Sequence, residues 1–539
     1  MKFLMRIFLI SVCVCFSCSA GFSQSGNSAE SLPKDYLSAG FHAERRQALR
    51  ALMPGNSVVV IFSYPEEVFS KDVNYKYHPN PDLIYFSGYK EPNAMLLIFK
   101  EMQADGDSSF SELFFVQRKD ARQEQWTGRH LGVEGVKSSL GFKRVYKGED
   151  FGKFPIDLRK FNVIYDDLPD TAGNHTPGSL SDLVSHFVSN SAIKPKNKNL
   201  SEDLNLIYRF GNAKNLARIL AYLKPRFNAP AYKEDTLLQE LLAKPDSITL
   251  VAFKKKYIAD PSGIIAFNNY TNTLRGIKTP DELIVLKKSI AISCLAHAEA
   301  MRAVNPQISE SELEGIMLYV HKKYGAEDEG YPPIVGAGAN GCILHYEEND
   351  VTHVGNQLVL MDVGAEYHGY SADVTRTFPA NGKYTDEQKA IYQIVYDAQE
   401  AVFEICRPGI SFDSIQFKSE EVVADGLIKL GLIKMRNEVK TYYPHSVSHH
   451  LGLDVHDKGN HDLLMENMVI TVEPGIYIPA GSPCEKKWWN IGVRIEDDML
   501  IGKSSYTLLS VDAPRKWQDV EKTIAEKSIF DEGNFPILR

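Results

Sequence analysis

Two aspartates in apolar, strand-like sequence constrain this chain more than any other feature. The run Val359-Leu360-Met361-Asp362-Val363-Gly364 leads into Tyr367-His368-Gly369-Tyr370, and Ala372-Asp373-Val374-Thr375 leads out. A turn at His368-Gly369 folds this segment into a β-hairpin in which Tyr367 faces Tyr370 and Gly364 faces Asp373. Side chains alternate along a strand, so Asp362 shares a face with Gly364. The two aspartates then point the same way as diagonal neighbours. Two buried carboxylates this close cannot both stay ionised without a cation. For one aspartate alone, a turn cap or an arginine partner is the ordinary reading; for the pair, a divalent metal ion resolves the conflict.

More donors lie downstream. His449-His450-Leu451-Gly452-Leu453-Asp454-Val455-His456-Asp457 concentrates imidazoles, with His445 just before it. Glu473 ends the apolar run Met468–Val472, and Glu496 sits in the alternating Val493-Arg494-Ile495-Glu496-Asp497. Two Asp, two Glu and one His make a carboxylate-rich site for two divalent ions. Oxygen-dominated ligation suits Mn²⁺, with Zn²⁺, Co²⁺ and Fe²⁺ left open. Two close metals form a hydrolytic device. The glycine pattern Gly336-Ala337-Gly338-Ala339-Asn340-Gly341 precedes a strand-like Cys342-Ile343-Leu344-His345 rather than a helix, so the dinucleotide-binding context is missing.

The 539 residues divide into segments. Residues 1–20 read as a secretory signal: Lys2 and Arg6, an apolar core, then Cys18-Ser19-Ala20. Cleavage after Ala20 is expected, giving an exported, periplasmic or secreted protein, with lipid anchoring at Cys18 as an alternative. No later run is long and apolar enough for a membrane span. Residues 21–40 read as a flexible leader. Strands at Ser57–Phe62, Ala94–Phe99, Glu112–Val116 and Asn162–Tyr165 alternate with helical sequence, an α/β or α+β pattern. Residues 41–270 form an N-terminal domain with a partly helical insertion over about 171–271, including a helix over Leu206–Leu223. Residues 271–539 form a second domain. It opens on a capping box at Thr279-Pro280-Asp281-Glu282 and continues with strands at Leu358–Gly364, Tyr370–Thr377, Val469–Ile478 and Gly492–Ile501. Formal charge is −9, without the basic surplus of a nucleic-acid binder. Beyond the leader, Cys294, Cys342, Cys406 and Cys484 are widely spaced, and free thiols are expected.

Taken together, Asp362, Asp373, His449, Glu473 and Glu496 resemble the five-ligand dinuclear site of the pita-bread metallopeptidases. The signatures Gly341–Tyr346, Ser448–Asp457, Val472–Tyr477 and Arg494–Asp498 resemble the aminopeptidase P branch. So do Arg45–Leu49, Asn80–Tyr89 and Trp126–Arg129 in the N-terminal part. The resemblance implies a creatinase-like N-terminal domain joined to a pita-bread catalytic domain. It implies a metal-activated hydroxide that releases the first residue from peptides with proline second. It implies catalytic roles for Glu473, His345 and His456, and substrate-pocket roles for His445, Tyr477 and Arg494. Arg494 serves equally as an ion pair that orients a ligand carboxylate. The family also implies a homo-oligomer, dimer or tetramer. Prolidase, which cleaves Xaa-Pro dipeptides, uses the same ligands; a metal-free binding module of the same fold would lack some of them.

Overall fold

The computed structural model describes residues 35–169, 175–191, 193, 197–213, 215–259 and 263–530. The expected signal and residues 21–34 of the leader lie outside these. Helix Ala39–Leu52 begins inside the expected leader, with the Ser38 side chain accepting from the Phe41 amide at its start.

The N-terminal sheet runs in the order Val145–Lys147, Ser108–Val116, Met95–Asp105, Ser57–Phe62, Asn162–Tyr165. Its interior pairings are antiparallel, and both edge strands are parallel to their neighbours. Alternation sorts the side chains onto two faces. Val58, Val60, Phe62, Leu97 and Phe115 pack under helix Leu180–Ser191, through Leu183 and Phe187. That helix belongs to this sheet's core, although the sequence placed it in the insertion. Val59, Ile61, Leu96, Ile98 and Phe114 face a larger core. This core continues through Leu83, Phe86 and Tyr89 into Val285, Leu286, Ile290, Tyr370, Leu451 and Leu453 of the second domain. One apolar core therefore spans both halves of the chain. The rest of the insertion has its own core, including Leu204, Ile207, Leu223, Leu241 and Phe253. The expected Leu206–Leu223 helix divides there into Lys198–Phe210 and Leu216–Leu223, separated at Gly211.

In the second domain the capping box forms at the start of helix Pro280–Ala303: the Glu282 amide donates to Thr279 Oγ1 and the Thr279 amide to Glu282 Oε2. The hairpin turns where expected, with His368 and Gly369 both at positive φ and Tyr367 opposite Tyr370. Asp362 stands opposite Thr375, the same register carried along the whole hairpin.

The four long strands expected here are each interrupted. Leu358–Asp362 is followed by a break before Ala365–Tyr367; Tyr370–Ser371 by one before Thr375–Pro379; Val469–Val472 by one before Gly475–Ile478; Ile491–Arg494 by one before Asp497–Ile501. Asp373, Glu473 and Glu496 lie inside these breaks and Asp362 borders one. Register survives them. Val472 pairs with Asp497 and Gly475 with Arg494, so Glu473 stands opposite Glu496. A bridge between Thr375 and Glu496 ties the two ladders together. The segment Cys342–His345 is not strand-like: Asn340–Cys342 forms a 3₁₀ turn, against which Gly492 presses so closely that a Cβ there would lie 2.0 Å from the Gly341 carbonyl oxygen.

At Gly364 a Cβ would lie 1.8 Å from the Ala372 carbonyl oxygen across the hairpin. Gly364→Ala is expected to destabilise the protein by about 3 kcal/mol. Gly315, in helix Glu310–Lys323, has open space around it, and Gly315→Ala is expected to stabilise by about 1 kcal/mol. Urea-unfolding midpoints moving in opposite directions check both.

Candidate metal centre

The two interrupted ladders converge on one cavity of about 440 Å³, lined by Asp362, Asp373, His449, Glu473 and Glu496 together with His345, His445, His456 and Arg494. Of the residues singled out in the sequence, only Tyr477 is not in that lining; it sits one step behind. Donor atoms of Asp373, His449 and Glu496 all lie within 4.8 Å of one another. Asp362 joins them through Tyr331, whose hydroxyl lies 2.5 Å from Asp362 Oδ1 and 2.7 Å from Asp373 Oδ1. Glu473 joins from the other side, its Oε1 3.4 Å from His449 Nε2, which is also 3.3 Å from Asp373 Oδ2.

Each donor is oriented by a neighbour. His449 Nδ1 is 3.0 Å from the His450 carbonyl oxygen. A ring donating Nδ1–H to that carbonyl turns the Nε2 lone pair toward the carboxylates, the tautomer a metal needs. Thr375 Oγ1 donates to Glu496 Oε2 at 2.6 Å. Arg494 Nη2 donates to Asp362 Oδ2 at 2.5 Å, and its Nη1 to the Tyr477 hydroxyl at 2.9 Å. The Tyr477 oxygen is in turn 2.9 Å from His445 Nε2. Arg494 thus takes the ion-pairing role, and a chain of bonds runs from Asp362 to His445.

Three buried carboxylates and the nearly buried Glu473 crowd this space, and the charges show it. Burial would push the Asp362 carboxyl up, but Arg494 and Tyr331 outweigh it and hold it below its usual range. Burial, with the charge of Asp362, raises Asp373 despite His449. Glu496 is driven well above the carboxylate range by burial and by Asp373, Glu473 and Asp362. Burial pushes Glu473 up to about 7 against the pull of His449, with Asp373 adding. His449 is raised to about 9, because Asp373 and Glu473 overcome the burial that disfavours its charged form. His445 is lowered to about 3 by burial and Arg494, which suits a neutral ring accepting from Tyr477. A set of four carboxylates and one imidazole that must share protons to coexist fits divalent cations.

Tyr331 and Thr375 were not singled out from the sequence. Thr375 had a usable signal, its place opposite Asp362 in the hairpin register. Tyr331 had none: it arrives from the preceding segment, where the Gly330 amide donates to the Gly364 carbonyl.

Four carboxylates and an imidazole gathered where two ladders meet, in a domain that shares a core with an α/β N-terminal domain, are the layout of a two-domain metallohydrolase. Comparison with known proteins agrees. Residues 285–503 match the model for metallopeptidase family M24, and residues 42–162 match that for the aminopeptidase P N-terminal domain. The Xaa-Pro aminopeptidase of Escherichia coli (strain K12) is 31% identical over 490 residues, covering 88% of this chain and 96% of the relative. The intermediate cleaving peptidase 55 of Saccharomyces cerevisiae is 29% identical, covering 90% and 84%. The solved structure of E. coli aminopeptidase P with the inhibitor Pro-Leu superposes with a TM-score of 0.71 at 30% identity, covering 91% of this chain and 98% of that one. The chain belongs to metallopeptidase family M24, with the two-domain aminopeptidase P fold.

Metal uptake by the metal-free protein must displace the protons that Glu473 holds below about pH 7 and His449 below about pH 9, together with that favoured on Glu496. Divalent-ion affinity is therefore expected to rise with pH, by about tenfold per unit for each proton displaced, and more steeply below pH 7 than above it. Calorimetry in buffers of different ionisation enthalpy counts the protons released.

Proposed function

We propose that this protein is an Xaa-Pro aminopeptidase, releasing the first residue from peptides with proline in second position. The observation that carries the reading is the convergence of all five donors with His345 and His456 in one cavity. Asp362, Asp373, His449, Glu473 and Glu496 would hold two divalent ions, which when bound would supply Lewis acidity toward water and the scissile carbonyl. Glu473, at the edge of the cavity beside His449, is placed to take a proton from the attacking water and pass it to the proline nitrogen as the C–N bond breaks. His345 and His456 donate to the oxygen on which charge develops. Arg494 holds Asp362 in its ionised form, and Tyr477 and His445 extend that chain to the cavity wall. An Xaa-Pro bond lacks an amide N–H and carries a rigid ring. A site of this class must recognise the ring rather than a main-chain donor.

Mn²⁺ is the proposed native metal, since the donors are mostly carboxylate oxygens. The chain is proposed to act as a homo-oligomer, which light scattering tests. It is proposed to be exported with cleavage after Ala20, which N-terminal sequencing of the mature protein tests; a lipid-modified Cys18 at the terminus would replace that assignment.

The decisive assay uses Mn²⁺-loaded protein lacking residues 1–20. Its substrates are an Xaa-Pro dipeptide, the same sequence extended by several residues, and the extended peptide with alanine second. Release of the first residue from the extended proline peptide is expected, with little from the alanine peptide. Asp373→Ala is expected to lower kcat/KM at least about a thousandfold. Cleavage of the dipeptide alone would make the enzyme a prolidase. Equal cleavage of the alanine peptide would remove proline from the assignment.

A further inference from the structure

His456 lies on Leu451–Asp457, a stretch with no helix or strand, so no local ladder fixes where its ring sits. The ring is nevertheless placed, 4.2 Å centroid to centroid from that of His449. The residues on either side of it show how. Asp454 Oδ2 accepts from Arg275 Nη2 at 2.6 Å, and Asp457 Oδ1 accepts from the same nitrogen. Arg275 Nη1 donates to Asp82 Oδ1 at 2.8 Å. One guanidinium, 1% exposed, therefore grips both flanks of His456 with one nitrogen and the N-terminal domain with the other.

The surroundings complete the network. Lys278 Nζ donates to Asp457 Oδ2 at 2.9 Å, and Lys458 Nζ to Asp82 Oδ2 at 2.6 Å. Three cations face three carboxylates, all but Asp454 and Lys458 almost wholly buried. Asp82 lies in helix Pro81–Ser87, whose apolar residues belong to the core shared by the two domains. Arg275 ends helix Gly263–Gly276, and a Cβ on Gly276 would come within 3.1 Å of Gly459 Cα, so this helix end abuts the same loop. The loop passes the constraint inward: the Asp457 amide donates to the His450 carbonyl at 2.9 Å, next to His449.

We propose that Arg275 is a positioning residue for catalysis, holding the His456 loop against the metal centre and making presentation of His456 conditional on docking of the N-terminal domain through Asp82. A guanidinium suits this role where an ammonium does not, because its planar fork serves three carboxylates in fixed directions. The role of His456 rests on the peptidase reading above; the holding of the loop does not.

The test is a double-mutant cycle on the metal-loaded enzyme with the extended Xaa-Pro peptide, read alongside amide hydrogen exchange. Arg275→Lys is expected to lower kcat about tenfold to a hundredfold with KM changed less than about threefold. It is also expected to speed exchange over residues 451–460. In a His456→Ala background the same substitution is expected to change kcat less than about twofold, since the group it positions is gone. Asp454→Asn weakens one grip by removing its charge while keeping the side chain's shape. It is expected to reproduce both effects more weakly, and it stands in if Arg275→Lys does not fold. Equal loss of kcat in both backgrounds would reduce Arg275 to a stability element and overturn the proposal. Unchanged exchange at 451–460 would overturn it too. If the wild type cleaves no Xaa-Pro peptide but exchange still rises on substitution, the substrate reading has failed while the loop restraint stands.

Discussion

The constraint on which the rest of this structure depends is the burial of four carboxylates around one imidazole. Asp362, Asp373 and Glu496 are buried and Glu473 nearly so, in a cavity to which Arg494 brings a cationic side chain. Burial disfavours each ionised carboxylate, and each charge disfavours the next. Arg494 settles the matter for Asp362 alone. For the other three, burial and the neighbouring charges favour the protonated form, pushing Glu473 up to about 7 and raising Asp373 and Glu496 above their ordinary values. A protein would not keep such a cluster for stability, because apolar residues of the same volume would serve the core at lower cost. Its presence is intelligible only if cations of higher charge replace those protons.

The backbone is organised to make that crowding possible. An unbroken ladder sends successive side chains to opposite faces and holds cross-strand partners at fixed spacing. Here each ladder opens where a donor sits and then resumes in the same register. The openings let Asp373, Glu473 and Glu496 turn toward a common point, while Thr375 and Glu496 lock the two ladders side by side. Gly364, with no room for a Cβ, marks how closely the hairpin strands approach at the opening.

Much of this was legible in the sequence because it is local. The hairpin register, its turn at His368-Gly369, the capping box at Thr279 and the convergence of Asp362 with Asp373 all follow from alternation and turn chemistry over short spans. The interruptions were not legible. Apolar runs such as Val469–Ile478 read as continuous strands, because hydrophobic period records burial and says nothing of where hydrogen bonding lapses. Leu180–Ser191 falls in the expected insertion because it lies between loop-like runs after the change of pattern near residue 171, and nothing local shows the sheet it covers. Tyr331 touches both aspartates from outside their hairpin, so no spacing rule reaches it.

The least legible contacts are charged and distant in sequence. Arg275 meets Asp82 and Asp457 across gaps that no periodicity spans, and each of these residues alone reads as a surface charge. They are buried because two domains share one apolar core, which removes water from the seam where they meet. In that seam an unpaired charge would be costly, so partner and geometry are both specified. The four carboxylate donors come from two neighbouring ladders of a single domain, and His449 from the segment bridged to one of them, so that domain carries all five. The loop bearing His456 shares its cation with the N-terminal domain: Arg275 binds Asp454 and Asp457 with one nitrogen and Asp82 with the other. The second domain thus encodes the chemistry, and the contact between domains encodes how the loop beside that chemistry is held.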